Sequence, residues 1–78
     1  MFLAVGNIYQ TRGGMHYVCD RSSHIKTGNT ARTIFLMRPV RKGVPDQWLF
    51  ADGHWFDGGR IESDVDAVKL AKFGDGAT

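Results

Sequence analysis

Apolar and polar residues alternate along much of this chain, and the alternation is broken repeatedly by Gly, Pro and Asp. A period of two is the spacing of a half-buried strand. Residues 6–12 and 15–19 flank Gly13-Gly14, which can supply the two positive φ angles of a type I′ hairpin. A two-residue loop sets Ile8 opposite Cys19 and Gln10 opposite Tyr17 on one face. That face, through Ile8, Tyr17 and Cys19, is the expected core side. Residues 20–31 have no period and many turn formers, so they read as a long loop. A structureless loop of about a dozen residues in a small domain is unusual and often functional.

Residues 31–38 are the clearest strand. Thr33, Phe35 and Met37 point one way, Ile34 and Leu36 the other, so a central strand covered on both faces is expected. Pro39 ends it, and a basic loop follows up to Asp46. A second hairpin is expected from residues 47–51 and 54–56 around Asp52-Gly53, a strong short-range hairpin signal. Its two-residue loop places Trp48, Phe50 and Trp55 on one face and Leu49 and Phe56 on the other. Residues 57–60 read as a turn. Ser63 with Asp66 three residues on resembles a helix cap, Val65, Val68 and Ala71 form an apolar stripe, and Gly74 is a natural stop. The spacing therefore predicts a short C-terminal helix over 64–72, docked on the sheet because it is too short to persist alone.

These elements assemble into a mainly β fold of the α+β kind. It has about five short antiparallel strands, as an SH3-like small barrel or an open twisted sheet, with one short C-terminal helix. Residues 1–73 are expected to form a single domain and 74–78 a frayed tail.

Composition adds limits. The chain has 78 residues, 42% of them hydrophobic and 23% charged, which is ordinary for a globular domain. A domain this small buries only about 60% of the surface its unfolded chain exposes, which argues against a deep active site. Eight basic and four acidic groups lie in residues 1–60, and two basic and four acidic ones in 61–78. The body is mildly basic and the end acidic. Cys19 is the only cysteine, so no internal disulfide forms. A secreted domain of this size usually needs such staples, so a cytoplasmic setting is expected. No signal peptide and no membrane span stand out.

The candidate chemistry is sparse. His16 and Cys19 sit three apart on a strand and face opposite sides, and no second ligand pair accompanies Cys19 and His24, so no metal site is expected. Asp64 and Asp66 fit helix capping better than paired-carboxylate catalysis, and no phosphate loop appears, so neither an enzyme nor a cofactor is expected. Arg38, Arg41 and Lys42 beside the tryptophans suit a small nucleic-acid-binding module. The aromatic hairpin with arginines beside it suits protein binding better, homodimerisation included, because Trp, Tyr and Arg dominate interface hot spots.

Three segments carry a resemblance: Tyr9-Gln-Thr-Arg-Gly-Gly14, Trp48-Leu-Phe-Ala-Asp-Gly53 and Glu62-Ser-Asp-Val-Asp-Ala-Val68. Together they resemble the small accessory proteins common in phages and prophages, over about half the chain. That resemblance implies a non-enzymatic protein in the bacterial host cell that inhibits a host protein complex by steric occlusion. Anti-CRISPR proteins and other anti-defence inhibitors are examples of that mode. The contact residues expected from the chain itself are Trp48, Trp55 and Arg41, with Arg12, Arg38 and Lys42 as rim charges.

Overall fold

Both tight hairpins turn on three residues, and this sets the faces of the sheet. The structure, a computed structural model, describes residues 2–56 and 63–72. Thr11 N donates to Met15 O at 2.7 Å and Gly14 N to Thr11 O at 3.0 Å. In the second hairpin Phe50 N donates to His54 O at 2.7 Å and Gly53 N to Phe50 O at 2.9 Å. The loops are thus Arg12-Gly13-Gly14 and Ala51-Asp52-Gly53, each ending on a glycine of positive φ, 91° at Gly14 and 98° at Gly53. This is a type I turn followed by a left-handed residue.

The third loop residue corrects both expected registers by one, and one residue turns every side chain over. Ile8 pairs with Val18 and Tyr9 with Tyr17, while Leu49 bridges to Trp55. Tyr17 and Cys19 are core residues, as expected, but Tyr9 takes the inward place and Ile8 faces out, half-exposed.

Five strands form one antiparallel sheet in the order β4-β3-β2-β1-β5. They are β1 Ile8–Thr11, β2 His16–Thr27, β3 Thr30–Pro39, β4 Gln47–Phe50 and β5 Ala67–Lys72. Residues 54–56 contribute only the bridge to Leu49, not a ladder strand of their own. The expected loop over 20–31 is instead most of β2 and the start of β3, joined at Gly28-Asn29. Gly28 alone has positive φ there, the sign pattern of a type II′ turn. Alternation fails in this segment because its far half buries neither face, so no periodic apolar signal is needed. A β-bulge at Asp20 interrupts the ladder between the pairs Cys19–Met37 and Arg21–Leu36.

The expected C-terminal helix is also corrected: residues 67–72 are β5. Ser63 and Asp66 do bond reciprocally, with Ser63 N to Asp66 Oδ2 at 2.9 Å and Asp66 N to Ser63 O at 3.1 Å. They close a turn, and the chain then extends along β1. Two register shifts in the β1–β5 pairing put Ala67 and Leu70 three residues apart on the core side. Bulged strand spacing thereby imitates the helical period. The expected turn at 57–60 and tail at 74–78 lie outside the described residues.

The core occupies one face of the curled sheet. Tyr9, Tyr17, Cys19, Phe35, Met37, Leu49 and Ala67 meet there, with Leu3 laid across from the N-terminal segment. Leu3 N donates to Ala51 O at 2.8 Å, and Ala67 N to Gly53 O at 2.9 Å, which draws β5 towards the second hairpin. Among the described residues no helix is long and apolar enough to cross a membrane.

The two hairpin glycines separate conformation from packing. A Cβ at Gly14 would meet nothing within 4 Å, whereas one at Gly53 would stand 2.6 Å from the Ala67 carbonyl oxygen. Gly14→Ala is expected to cost about 1 kcal/mol, for the backbone angle alone, and Gly53→Ala at least about 3 kcal/mol. Urea unfolding of the two variants checks the difference.

Candidate functional site

Side chains opposite the core gather on the β3–β4 end of the sheet. Leu49 points inward, so its neighbours Trp48 and Phe50 point outward, where they pair with Leu36 and Ile34 of β3. Phe56 N donates to Trp48 O at 3.0 Å, which sets Phe56 on the same outer face. The Phe50 and Phe56 ring centroids lie 5.4 Å apart at 49°, a tilted aromatic pair. Arg32, two residues before Ile34, places its guanidinium carbon 5.3 Å from the Phe50 centroid, in cation–π range. Ile25 lies opposite Arg32 on β2. Ile25, Thr30, Arg32, Phe50 and Phe56 line a cleft at the root of the β2–β3 hairpin. Phe56 is 37% exposed, Trp48, Phe50 and Leu36 are half-buried, and Ile34 on the same face is buried.

The expected contact residues divide. Trp48 belongs to the outer aromatic face. Trp55 sits across from Leu49 and packs against the core; its indole Nε1 donates to Gln47 Oε1 at 3.0 Å and its backbone N to Asp66 Oδ1 at 2.8 Å. Arg38 points outward, 3.6 Å from Asp46 and 4.0 Å from Asp20. Asp20 also accepts from Arg21 at 2.8 Å; that hydrogen bond, with the charges of Arg21 and Arg38, holds its carboxyl below the usual carboxylate range. Arg41 and Lys42 lie in the β3–β4 connection, where Arg41 lines a groove with Ile8, His16 and Lys72. Arg12 is at the first hairpin tip, its backbone N bonded to Asp66 O at 2.8 Å and its guanidinium 3.7 Å from the Asp66 carboxylate. The six residues therefore do not form one patch.

Phe50, Phe56 and Arg32 join Trp48 on the outer face, and only Trp48 of these was expected as a contact. The signal that finds them is the loop length: counting three residues in Ala51-Asp52-Gly53 exchanges Trp55 for Phe56 on the outward side.

Reactive groups lie elsewhere. Cys19 has no exposed surface, and burial, helped by the Asp20 charge, pushes its thiol up to about 11. Burial also raises Tyr17, with the Asp46 charge adding to it. A buried neutral thiol is a poor nucleophile at neutral pH. Among the described residues no cluster of three or more His, Cys, Asp or Glu is placed to hold a metal ion.

Two measurements follow from these placements. Trp55→Ala is expected to cost about 3 kcal/mol through lost core packing, and Trp48→Ala about 1 kcal/mol, by urea unfolding. The Cys19 thiol has its folded pKa raised from 9.0 to about 11, so the neutral form it favours stabilises fully below pH 9.0. That contribution is lost as pH rises towards 11. Urea midpoints between those pH values are expected to fall, and to fall less in Cys19→Ala.

Comparison with protein-family models, with curated proteins and with solved structures finds no match to this chain.

Proposed function

We propose that this chain is a non-enzymatic protein-binding module. Its contact surface is the outer face bearing Trp48, Phe50 and Phe56, and it acts by covering a surface of a host protein complex. The observation that carries this reading is the aromatic cluster of Phe50 and Phe56 on the outer face, with the Arg32 guanidinium over the Phe50 ring. Aromatic groups with an arginine beside them are the groups that anchor protein interfaces. The resemblance to phage accessory proteins supplies the setting: occlusion of a defence complex in the bacterial cytoplasm, as anti-CRISPR proteins do. The bond from Ala67 N to Gly53 O supports reading the curled sheet as a small SH3-like barrel.

The basic connection of Arg38, Arg41 and Lys42 supports a nucleic-acid module less well. Arg38 already faces Asp46 and Asp20, which leaves two cations in that turn.

Capture from a nuclease-treated bacterial extract at raised salt tests the reading. A defined host protein is expected to be retained, and its purified form to lose at least about 2 kcal/mol of affinity to Phe56→Ala or Trp48→Ala. Retention unaffected by either substitution, or no retention at all, overturns it. A dimer that dissociates on Phe56→Ala, seen by sedimentation, would make a second copy of the chain the partner instead.

A further inference from the structure

The last four cross-strand pairs of the β2–β3 hairpin, His24–Thr33 to Thr27–Thr30, lie beyond the body of the sheet. β1 pairs with β2 at Ile8–Val18, Tyr9–Tyr17 and Gln10–His16, and β4 reaches β3 only from Met37 to Ile34. Among the described residues no strand lies beside residues 21–27 or 30–33 on their outer edges. What remains is a two-stranded ribbon closed by Gly28-Asn29. Four residues of strand give it a reach of about 13 Å.

The charge on this part of the chain is one-sided. Residues 21–45 hold six basic side chains and no acidic one, although the whole chain has ten basic and eight acidic. On the ribbon itself are Lys26 and Arg32; Arg21 lies nearer the body, opposite Leu36. Arg21 is paired with Asp20 at the bulge, but neither Lys26 nor Arg32 forms an ion pair among the described residues. His24, Asn29 and Thr30 add exposed hydrogen-bonding groups.

The register decides what such a ribbon fits. Lys26 pairs with Ala31, and Arg32 with Ile25, one step apart along the ladder, so the two cations stand on opposite faces. A flat protein surface meets only one face of a ribbon. The groove of a nucleic-acid duplex has a phosphate wall on each side, and the major groove of DNA, about 12 Å wide, admits a two-stranded ribbon. A second copy of the ribbon is disfavoured, because it would bring like charges together.

We infer that residues 24–33 form a nucleic-acid-binding arm that enters the groove of a duplex, with Lys26 and Arg32 contacting phosphates on its two walls. This goes beyond the protein-binding reading and uses a different part of the molecule, Arg32 alone being shared.

Fluorescence anisotropy of the full chain with a labelled DNA duplex of about 20 base pairs, from about 50 to 200 mM salt, tests it. The duplex is expected to bind more tightly than a single strand of the same length. Lys26→Gln with Arg32→Gln is expected to weaken binding roughly tenfold and to make the salt slope shallower by about 2. Lys26→Gln alone, at an exposed site, shifts the slope by about 1. Lys69→Gln with Lys72→Gln removes the same net charge from β5 and is expected to leave duplex binding in place. The inference is overturned if the duplex does not bind at the lowest salt, or if the single strand binds better. It fails equally if the β5 variant weakens binding as much as the arm variant. Lys26→Gln leaves Trp48, Phe50, Phe56 and Arg32 all in place, so with that variant the capture experiment stays an independent result.

Discussion

The buried carboxylate of Asp66 ties together three pieces of chain that are distant in sequence. It is 2% exposed. Its oxygens accept from Trp55 N at 2.8 Å and Ser63 N at 2.9 Å. Its backbone oxygen accepts from Arg12 N at 2.8 Å, and the Arg12 guanidinium stands 3.7 Å away. A lone buried carboxylate is costly, and hydrogen bonds to its charged form, at about 1.5–3 kcal/mol each, are what offset that cost. One side chain thus locates both hairpins relative to the turn that starts β5.

The hairpins that Asp66 joins share one loop design, and the outer face depends on it. In each, a glycine in the third loop position takes up the left-handed backbone that closes the turn. At Gly53 the need is double, because the Ala67 carbonyl lies where a side chain would begin. The resulting register sends Leu49 and Trp55 inward and leaves Trp48, Phe50 and Phe56 outward. The aromatic face is therefore the complement of the core: what the inner layer does not use, the outer one displays.

Much of this is legible in the residues. The β class, the central strand around Phe35 and Met37, both tight hairpins and the core roles of Tyr17 and Cys19 follow from alternation and turn chemistry. The register does not, because Gly13-Gly14 and Asp52-Gly53 suit two-residue and three-residue loops alike, and only the surrounding hydrogen bonds choose. The helical reading of 64–72 failed for a related reason. Bulges opposite β1 space Ala67 and Leu70 by three, and Ser63 with Asp66 bonds reciprocally in a turn as well as in a cap. Residues 20–31 lacked alternation because a ribbon without a buried face has no need of it, while Gly28-Asn29 between β-branched residues marked the turn. Of the proposed contact surface, Trp48 was legible and Phe56 was hidden by the single-residue register error.

The end of the β3–β4 ladder at Ile34 has a consequence for how such a chain can change over generations. It marks where β3 stops being constrained by the core, since from Thr33 to the turn only β2 and β3 hold each other. Adding one cross-strand pair on either side of Gly28-Asn29 would move no core residue and leave every register nearer the body intact. Lengthening there costs little beyond loop-like entropy. Reach is therefore an independently adjustable dimension of the molecule, one that selection, or a designer grafting a foreign epitope, can vary while the inner layer stays as it is.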